Sequence, residues 1–243
     1  AGVVITHGTN TLEETAWLLE LLIDDLRPVV LVGAMRPATA LSADGPLNLF
    51  QAVQVALSRE ARGHGVLVVM DGQIHAAQRV SKVATQGVGA FASPGYGPLG
   101  WVDDVGVHLP MASGSRRVPF AALALPEQWP QVPIVYGCVE PESLMLQACL
   151  NAGAPGLVFT GTGAGQLSAA ERSVLQAWPG KRPLMLRANR CGLGPVHHHH
   201  EDERLGLLPA GRLNPQKARV LLMLALIAGL DRGALAELVS ATP

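Results

Sequence analysis

Charge is scarce in this sequence of 243 residues: Asp, Glu, Lys and Arg fill only 15% of positions, and 18 basic against 19 acidic side chains leave a formal charge of -1. So nearly neutral a chain carries no general field to draw nucleic acid or an anionic membrane, and any recognition must be local. Cysteine is sparse too. Cys138, Cys149 and Cys191 are too few for a disulfide scaffold and show no CxxC spacing, so they read as packing residues. No apolar run approaches the ~20 residues that span a bilayer. The longest, 220–229, stops before Asp231 and Arg232, and a soluble protein is expected in spite of a mean hydropathy of +0.27. An initiator Met and a signal peptide are also missing from the opening Ala1-Gly2-Val3-Val4-Ile5-Thr6, which runs straight into an apolar β-branched stretch. A preceding segment is therefore expected.

What is abundant is apolar side chain, 49% of positions, enough for a large core and incompatible with a disordered or collagen-like chain. In the first half, short apolar runs alternate with helical periodicity: strands over 3–5, 29–32 and 66–70, helices over 12–26 and 46–57, with Thr11 as N-cap of the first helix and Glu13 and Glu14 in its first turn. Fully apolar strands separated by helices predict a parallel sheet covered on both faces. From Ser93 the texture changes to turn-rich sequence, and 111–133 has no clean period, as an inter-domain connection would. A second α/β region follows, with strands over 134–136, 156–160 and 184–187 and helices over 143–152, 169–178 and 215–229. The expected organisation is α/β in two domains, a larger N-terminal one at 1–110 and a smaller parallel C-terminal one at 133–243, joined by a linker at 111–132.

Polar groups with chemical potential gather after predicted strands, where open α/β sheets bind ligands. Thr6-His7-Gly8-Thr9-Asn10-Thr11 follows the first strand; its hydroxyls and the free N–H groups of the helix start suit an oxyanion or carboxylate, and a plain helix cap with a glycine turn fits equally well. After the third strand comes Asp71-Gly72-Gln73-Ile74-His75, leading to Ser81 and Lys82. A lone lysine is usually a solvated charge, but a desolvated one beside a threonine hydroxyl can give up its proton and act as general base.

These residues carry a resemblance. Gly2-Val3-Val4-Ile5-Thr6-His7-Gly8-Thr9-Asn10-Thr11-Leu12-Glu13-Glu14-Thr15-Ala16 resembles the second threonine motif of bacterial-type L-asparaginases, including the glutaminase-asparaginases. Val32-Gly33-Ala34-Met35-Arg36-Pro37, Ser42-Ala43-Asp44-Gly45-Pro46, Ile74-His75-Ala76-Ala77, Tyr96-Gly97-Pro98-Leu99-Gly100 and Leu213-Asn214-Pro215-Gln216-Lys217-Ala218-Arg219 continue it in the same order. The resemblance implies a two-domain asparaginase-like fold and a homotetrameric amidohydrolase that converts asparagine, and in some members glutamine, through a threonine acyl-enzyme with no cofactor and no metal. Carried over by motif, Thr9 and Lys82 are the expected catalytic residues, and Gly8, Asn10 and Ala34 fall at substrate-binding positions. In the second domain Gln166 matches a residue, usually Asn, that reaches the adjacent subunit's site, and Glu201 stands nearest to a glutamate with a similar role.

Two departures from the family pattern matter. Its first threonine motif, which bears the nucleophile, has no match in these residues and is expected upstream of Ala1, so the chain by itself is expected to be inactive. Asn10 stands where the family has aspartate, which keeps the shape and an acceptor but removes the charge that receives the substrate's α-ammonium. Rival readings are a catalytically weak amino-acid-binding paralogue and a structural subunit of an amidotransferase assembly. The cytoplasm is the favoured compartment, with the periplasm as the alternative.

Other features read as structural. Thr160-Gly161-Thr162-Gly163-Ala164-Gly165-Gln166 imitates a dinucleotide fingerprint but has Gln166 where the last glycine belongs. His197 to His200 with Glu201-Asp202-Glu203 offers metal ligands, yet consecutive residues rarely converge on one ion, and adventitious capture is the expectation. Residues 220–227 read as a buried helix with Asn214 as its N-cap and Pro215 in the first turn. Arg36 and Asp44 are candidates for an ion pair or a ligand contact.

Overall fold

Two fully buried strands, Val29–Val32 and Val66–Met70, explain the architecture of the N-terminal half. In the computed structural model, which describes residues 1–113, 118–139 and 143–242, β1 (Val3–Thr6), α1 (Leu12–Leu22), β2 (Val29–Val32), α2 (Gly45–Leu57) and β3 (Val66–Met70) follow in order, and every residue of β2 and β3 is buried. Alternate side chains of these strands enter opposite cores, as the two-residue period of a strand requires. Val30, Val32, Leu67 and Val69 pack with Ala52, Val55 and Ala56 of α2; Val29, Leu31, Val66, Val68 and Met70 pack with Leu12 and Ala16 of α1. The first three strands are parallel, as their apolar sequences predict.

The rest of that sheet is not parallel. Asp71 and Gly72 both take positive φ, 50° and 71°, and close a two-residue turn that pairs Met70 with Gln73. Such a turn matches strand twist and returns the chain antiparallel as β4 (Gln73–Ala76). After the short ladder of β5 (Ser81–Lys82) with β6 (Phe91–Ala92), β7 (Gly100–Val102) and β8 (Val107–His108) extend the sheet antiparallel, giving the order β1-β2-β3-β4-β7-β8. The sequence expectation of a wholly parallel sheet thus holds only for its first three strands.

The chain divides into two compact units, Ala1–Ala121 and Ala122–Pro243. Residues 114–117 of the stretch expected to be irregular lie outside the described residues; its described part contains neither helix nor strand. In the second unit β9 (Ile134–Tyr136), α3 (Leu144–Asn151), β10 (Gly156–Gly161), α4 (Ala169–Ala177), β11 (Leu184–Asn189), α5 (Asp202–Leu205) and β12 (Leu207–Pro209) precede α6 (Pro215–Ile227) and α7 (Arg232–Ser240). All pairings in the order β12-β11-β10-β9 are parallel. Leu157, Phe159 and Met185 of this sheet pack with Leu146 and Leu150 of α3 and Leu175 of α4. Helix α6 lies against β10 and β11, and it can approach because position 156 is glycine: a Cβ there would stand 2.8 Å from Leu226. Asn214 accepts from the Lys217 amide at 2.8 Å and Pro215 opens α6. Among the described residues no helix is long and apolar enough to cross a membrane.

Helix α4 has a capping box: the Glu171 amide donates to the Ser168 hydroxyl at 3.1 Å, and the Ser168 amide to the Glu171 carboxylate at 2.8 Å. Ser168→Ala removes one of these partners, and a loss of about 1 kcal/mol is expected. A urea titration reads it as a lower midpoint at an unchanged slope.

Candidate functional site

The turn after β1 is held before any ligand is considered. The His7 amide continues the pairing of β1 by donating to Val32 O at 2.8 Å, and the imidazole lies between Gly8 O at 2.7 Å and Thr15 Oγ1 at 3.0 Å. Gly33 makes the close approach possible, because a Cβ there would meet His7 O at 2.8 Å and Thr9 Cγ2 at 3.1 Å. Thr11 stands at the N-cap position of α1, but its hydroxyl forms no capping bond; its carbonyl receives the amides of Glu14 and Thr15.

Lys82 arrives from 73 residues away. Ala77, Val80, Ala90 and Phe91 around the β5-β6 ladder are buried in the same core as Leu12 and Ala16, so the ladder is packed on the α1 side of the sheet. There Lys82 Nζ donates to Thr9 Oγ1 at 2.9 Å and to Asn10 Oδ1 at 3.0 Å. A primary amine on a threonine hydroxyl is the arrangement that proton transfer needs. Gly8 and Ala34, with Thr6, Gly45 and Leu49, line a cleft of about 380 Å³ at the ends of β1 and β2.

The loop bearing Ala34 is fixed by Asp44, whose two oxygens accept the amides of Met35 and Arg36, both at 2.9 Å. No ion pair forms between Arg36 and Asp44; the guanidinium donates to Ser42 O at 2.8 Å instead. Partial burial works to raise the Asp44 carboxyl, but the amides of Met35 and Arg36 and the side chain of Asn48 outweigh it and hold the group below the usual carboxylate value. Asn48, 2% exposed, donates to Gly33 O and Asp44 Oδ2 and accepts from the Asp71 amide, all at 3.1 Å. This buried amide was missed in the sequence. Its signal was a polar residue at an apolar-face position of α2, three residues after Gly45.

In the second unit Gln166 and Glu201 line one shallow depression. Gln166 is exposed and closes a tight loop through mutual backbone bonds with Thr162, 2.7 and 3.1 Å long. The glycines of the apparent fingerprint serve that closure: a Cβ at Gly161 would stand 2.3 Å from Gly165 C, and Gly163 and Gly165 have positive φ. Arg187 joins this loop to the one carrying Glu201. Its guanidinium grips Asp202 at 2.9 and 2.7 Å and also donates to Ala164 O and His197 O, with both charged side chains almost wholly buried. Thus Thr9, Asn10 and Lys82 meet in one place, Gly8 and Ala34 border one cleft of the same unit, and Gln166 and Glu201 share a surface of the other.

Comparison with known families accounts for both units. Residues 1–113 match the model "Asparaginase, N-terminal" and residues 131–239 match the "Glutaminase/Asparaginase C-terminal domain". The chain belongs to the asparaginase family. It is 43% identical over 230 residues to a probable periplasmic L-asparaginase of Haemophilus influenzae, covering 93% of this chain and 66% of the relative. With L-asparaginase 2 of Bacillus subtilis the identity is 42%, covering 93% and 60%. The chain therefore spans less than two thirds of the length of these relatives. The crystal structure of a probable cytoplasmic L-asparaginase from Campylobacter jejuni superposes with a TM-score of 0.92 at 40% identity, over 98% of this chain and 77% of that one. The two-domain α/β fold of the family is thus established here, with a mixed sheet in the first domain and a parallel one in the second.

Because the folded Asp44 carboxyl titrates below the roughly 3.9 of an unfolded aspartate, its contribution to stability is full above about pH 4 and is lost as pH falls through the folded value. Asp44→Asn should lower the denaturation midpoint at pH 7 and flatten its decline below about pH 4. An acid limb identical to that of the parent would show that the carboxylate is not what holds the loop.

Proposed function

We propose that this chain supplies the Thr9–Lys82 half of an L-asparaginase-type active site, hydrolysing the side-chain amide of L-asparagine to L-aspartate and ammonia. The observation that carries the reading is the 2.9 Å bond between Lys82 Nζ and Thr9 Oγ1, made by residues distant in sequence inside a family fold. In the proposed reaction a threonine hydroxyl oxygen attacks the amide carbon; its proton passes to the leaving nitrogen, the C–N bond breaks, and ammonia departs from a threonine ester. Water then attacks the ester carbon, gives up a proton, and releases the acid and the free hydroxyl. Thr9 and Lys82 form the proton relay for both steps, and no step requires a metal or an organic cofactor. The attacking threonine is assigned to the family's first threonine motif, which residues 1–243 do not match, so these residues alone should release no ammonia.

Gly8, Asn10 and Ala34 are proposed to border the substrate. Gln166 and Glu201 are proposed to complete the site of a second copy in a homotetramer. The family relatives support asparagine as substrate, with glutamine as the second amide, since two of them are named glutaminase-asparaginases. Three free cysteines favour the cytoplasm. Asn10 gives weight to one rival, a weakly catalytic amino-acid-binding paralogue, because a neutral amide occupies the position expected to receive the substrate's ammonium.

Ammonia release from asparagine and glutamine, measured on a protein joining residues 1–243 to a first-threonine segment, is the test. Lys82→Met should lower kcat/KM by roughly a hundredfold or more. Asn10→Asp should raise it by about tenfold through tighter ammonium binding. Activity that survives Lys82→Met rules out the relay, and an Asn10→Asp variant indistinguishable from the parent rules out the ammonium role. No turnover together with calorimetric binding of aspartate would favour the paralogue, and neither would favour a structural subunit.

A further inference from the structure

Adjacent side chains normally diverge, yet the imidazoles of His199 and His200 lie with ring centroids 4.1 Å apart and planes inclined by 42°. A backbone turn brings them together. The Asp202 amide donates to His199 O at 2.9 Å while the Asp202 carboxylate receives the His199 amide at 2.8 Å. That carboxylate is gripped by Arg187, which also binds His197 O at 2.9 Å, so the histidine run is anchored at His197 and His199 by a buried ion pair. Next in the turn, Glu201 puts a carboxylate beside the rings, with Oε2 at 4.0 Å from His199 Nδ1. One donor atom from each of His199, His200 and Glu201 lies within 4.8 Å of the others.

We propose that His199, His200 and Glu201 form a binding site for a divalent transition-metal ion of the zinc class. Two imidazoles and one carboxylate are a borderline donor set that suits Zn²⁺, Co²⁺, Ni²⁺ or Cu²⁺ and not Mg²⁺ or Ca²⁺. Three protein ligands leave a fourth position for water, and tetrahedral bonds of about 2.0–2.1 Å need only a modest closure of the donors. The site has a built-in competitor. Glu201 Oε1 accepts from Arg204, and Oε2 accepts from Arg172 over a longer 3.4 Å contact, so a metal ion at Oε2 displaces Arg172 and leaves Arg204 in place. The side chains of His197 and His198 take no part. Glu201 is common to this proposal and to the amidase reading, but metal binding is read by dialysis and the Thr9–Lys82 relay by ammonia release, so the failure of one is distinguishable from the failure of the other.

Equilibrium dialysis of the 243-residue chain against Zn²⁺, with the exposed Cys138 and Cys191 changed to serine, tests it. One ion should bind per chain; His199→Ala, His200→Ala and Glu201→Gln should each weaken it at least tenfold, while the double change His197→Ala/His198→Ala should leave Kd within twofold. Arg172→Ala should tighten binding several-fold, a gain that a damaged fold cannot produce. Absence of one-to-one binding overturns the proposal. So does a His197→Ala/His198→Ala loss equal to that at 199 and 200, which would mean adventitious capture by any pair in the run, and so does an Arg172→Ala affinity that is unchanged or weaker.

Discussion

The buried side chain of Asn48 is the constraint on which the N-terminal site depends. Its amide nitrogen reaches Gly33 O, just past β2, and its oxygen takes the Asp71 amide, just past β3, so one residue of α2 ties together the ends of two parallel strands. An orphaned amide at that depth would be costly, which makes the strand ends, the helix and the Asp44 carboxylate mutually dependent. Two consequences run outward from it. The loop with Ala34 is pinned at the mouth of the cleft, and the Asp71-Gly72 turn is started at the point from which β4 leads back toward Lys82.

The second unit relies on a charged counterpart. Arg187 and Asp202 satisfy one another in a dry setting, and the spare guanidinium donors are spent on the carbonyls of two surface loops. Breaking such a pair leaves an uncompensated buried charge, so the pair fixes loop position more firmly than exposed salt bridges such as that of Asp25 with Arg27. Glu201 shows the intermediate case: partial burial raises its carboxyl, and the hydrogen bond from Arg204, with the charges of Arg172, Arg204 and His199, brings it below its ordinary value.

Much of this architecture was legible because burial on both faces imposes a recognisable composition. Val29–Val32 and Val66–Met70 are uninterrupted apolar β-branched or long aliphatic runs, and both are the strands expected. The antiparallel part was harder to read: β5, β6 and β8 have two residues each, too few to show a period, and only Asp71-Gly72 announced the reversal. Site residues divide similarly. Position after a strand marks Thr9 as a candidate in its own right, whereas nothing local distinguishes Lys82 from a solvated lysine. The hydrophobic packing of Val80 and Phe91 against the α1 side of the sheet determines where it goes, and that is a tertiary fact which a resemblance, not a pattern, made visible. The convergence of His199 and His200 was equally hidden, since it depends on a carboxylate that caps its own turn while held from behind by an arginine.

Asn10 shows how one substitution redirects a polar site without disturbing its shape. Its oxygen faces Lys82, so the other end of the amide is a donor. A carboxylate in the same place would offer a second acceptor and a negative charge to an approaching ammonium; the amide offers an N–H of the wrong sign. In the proposed reaction, recognition of a zwitterionic amino acid at this turn must then come from groups other than residue 10, or be weaker than a carboxylate would make it. Since Lys82 donates separately to Thr9 and to Asn10, the proposed proton relay is separable from the group proposed to meet the amine.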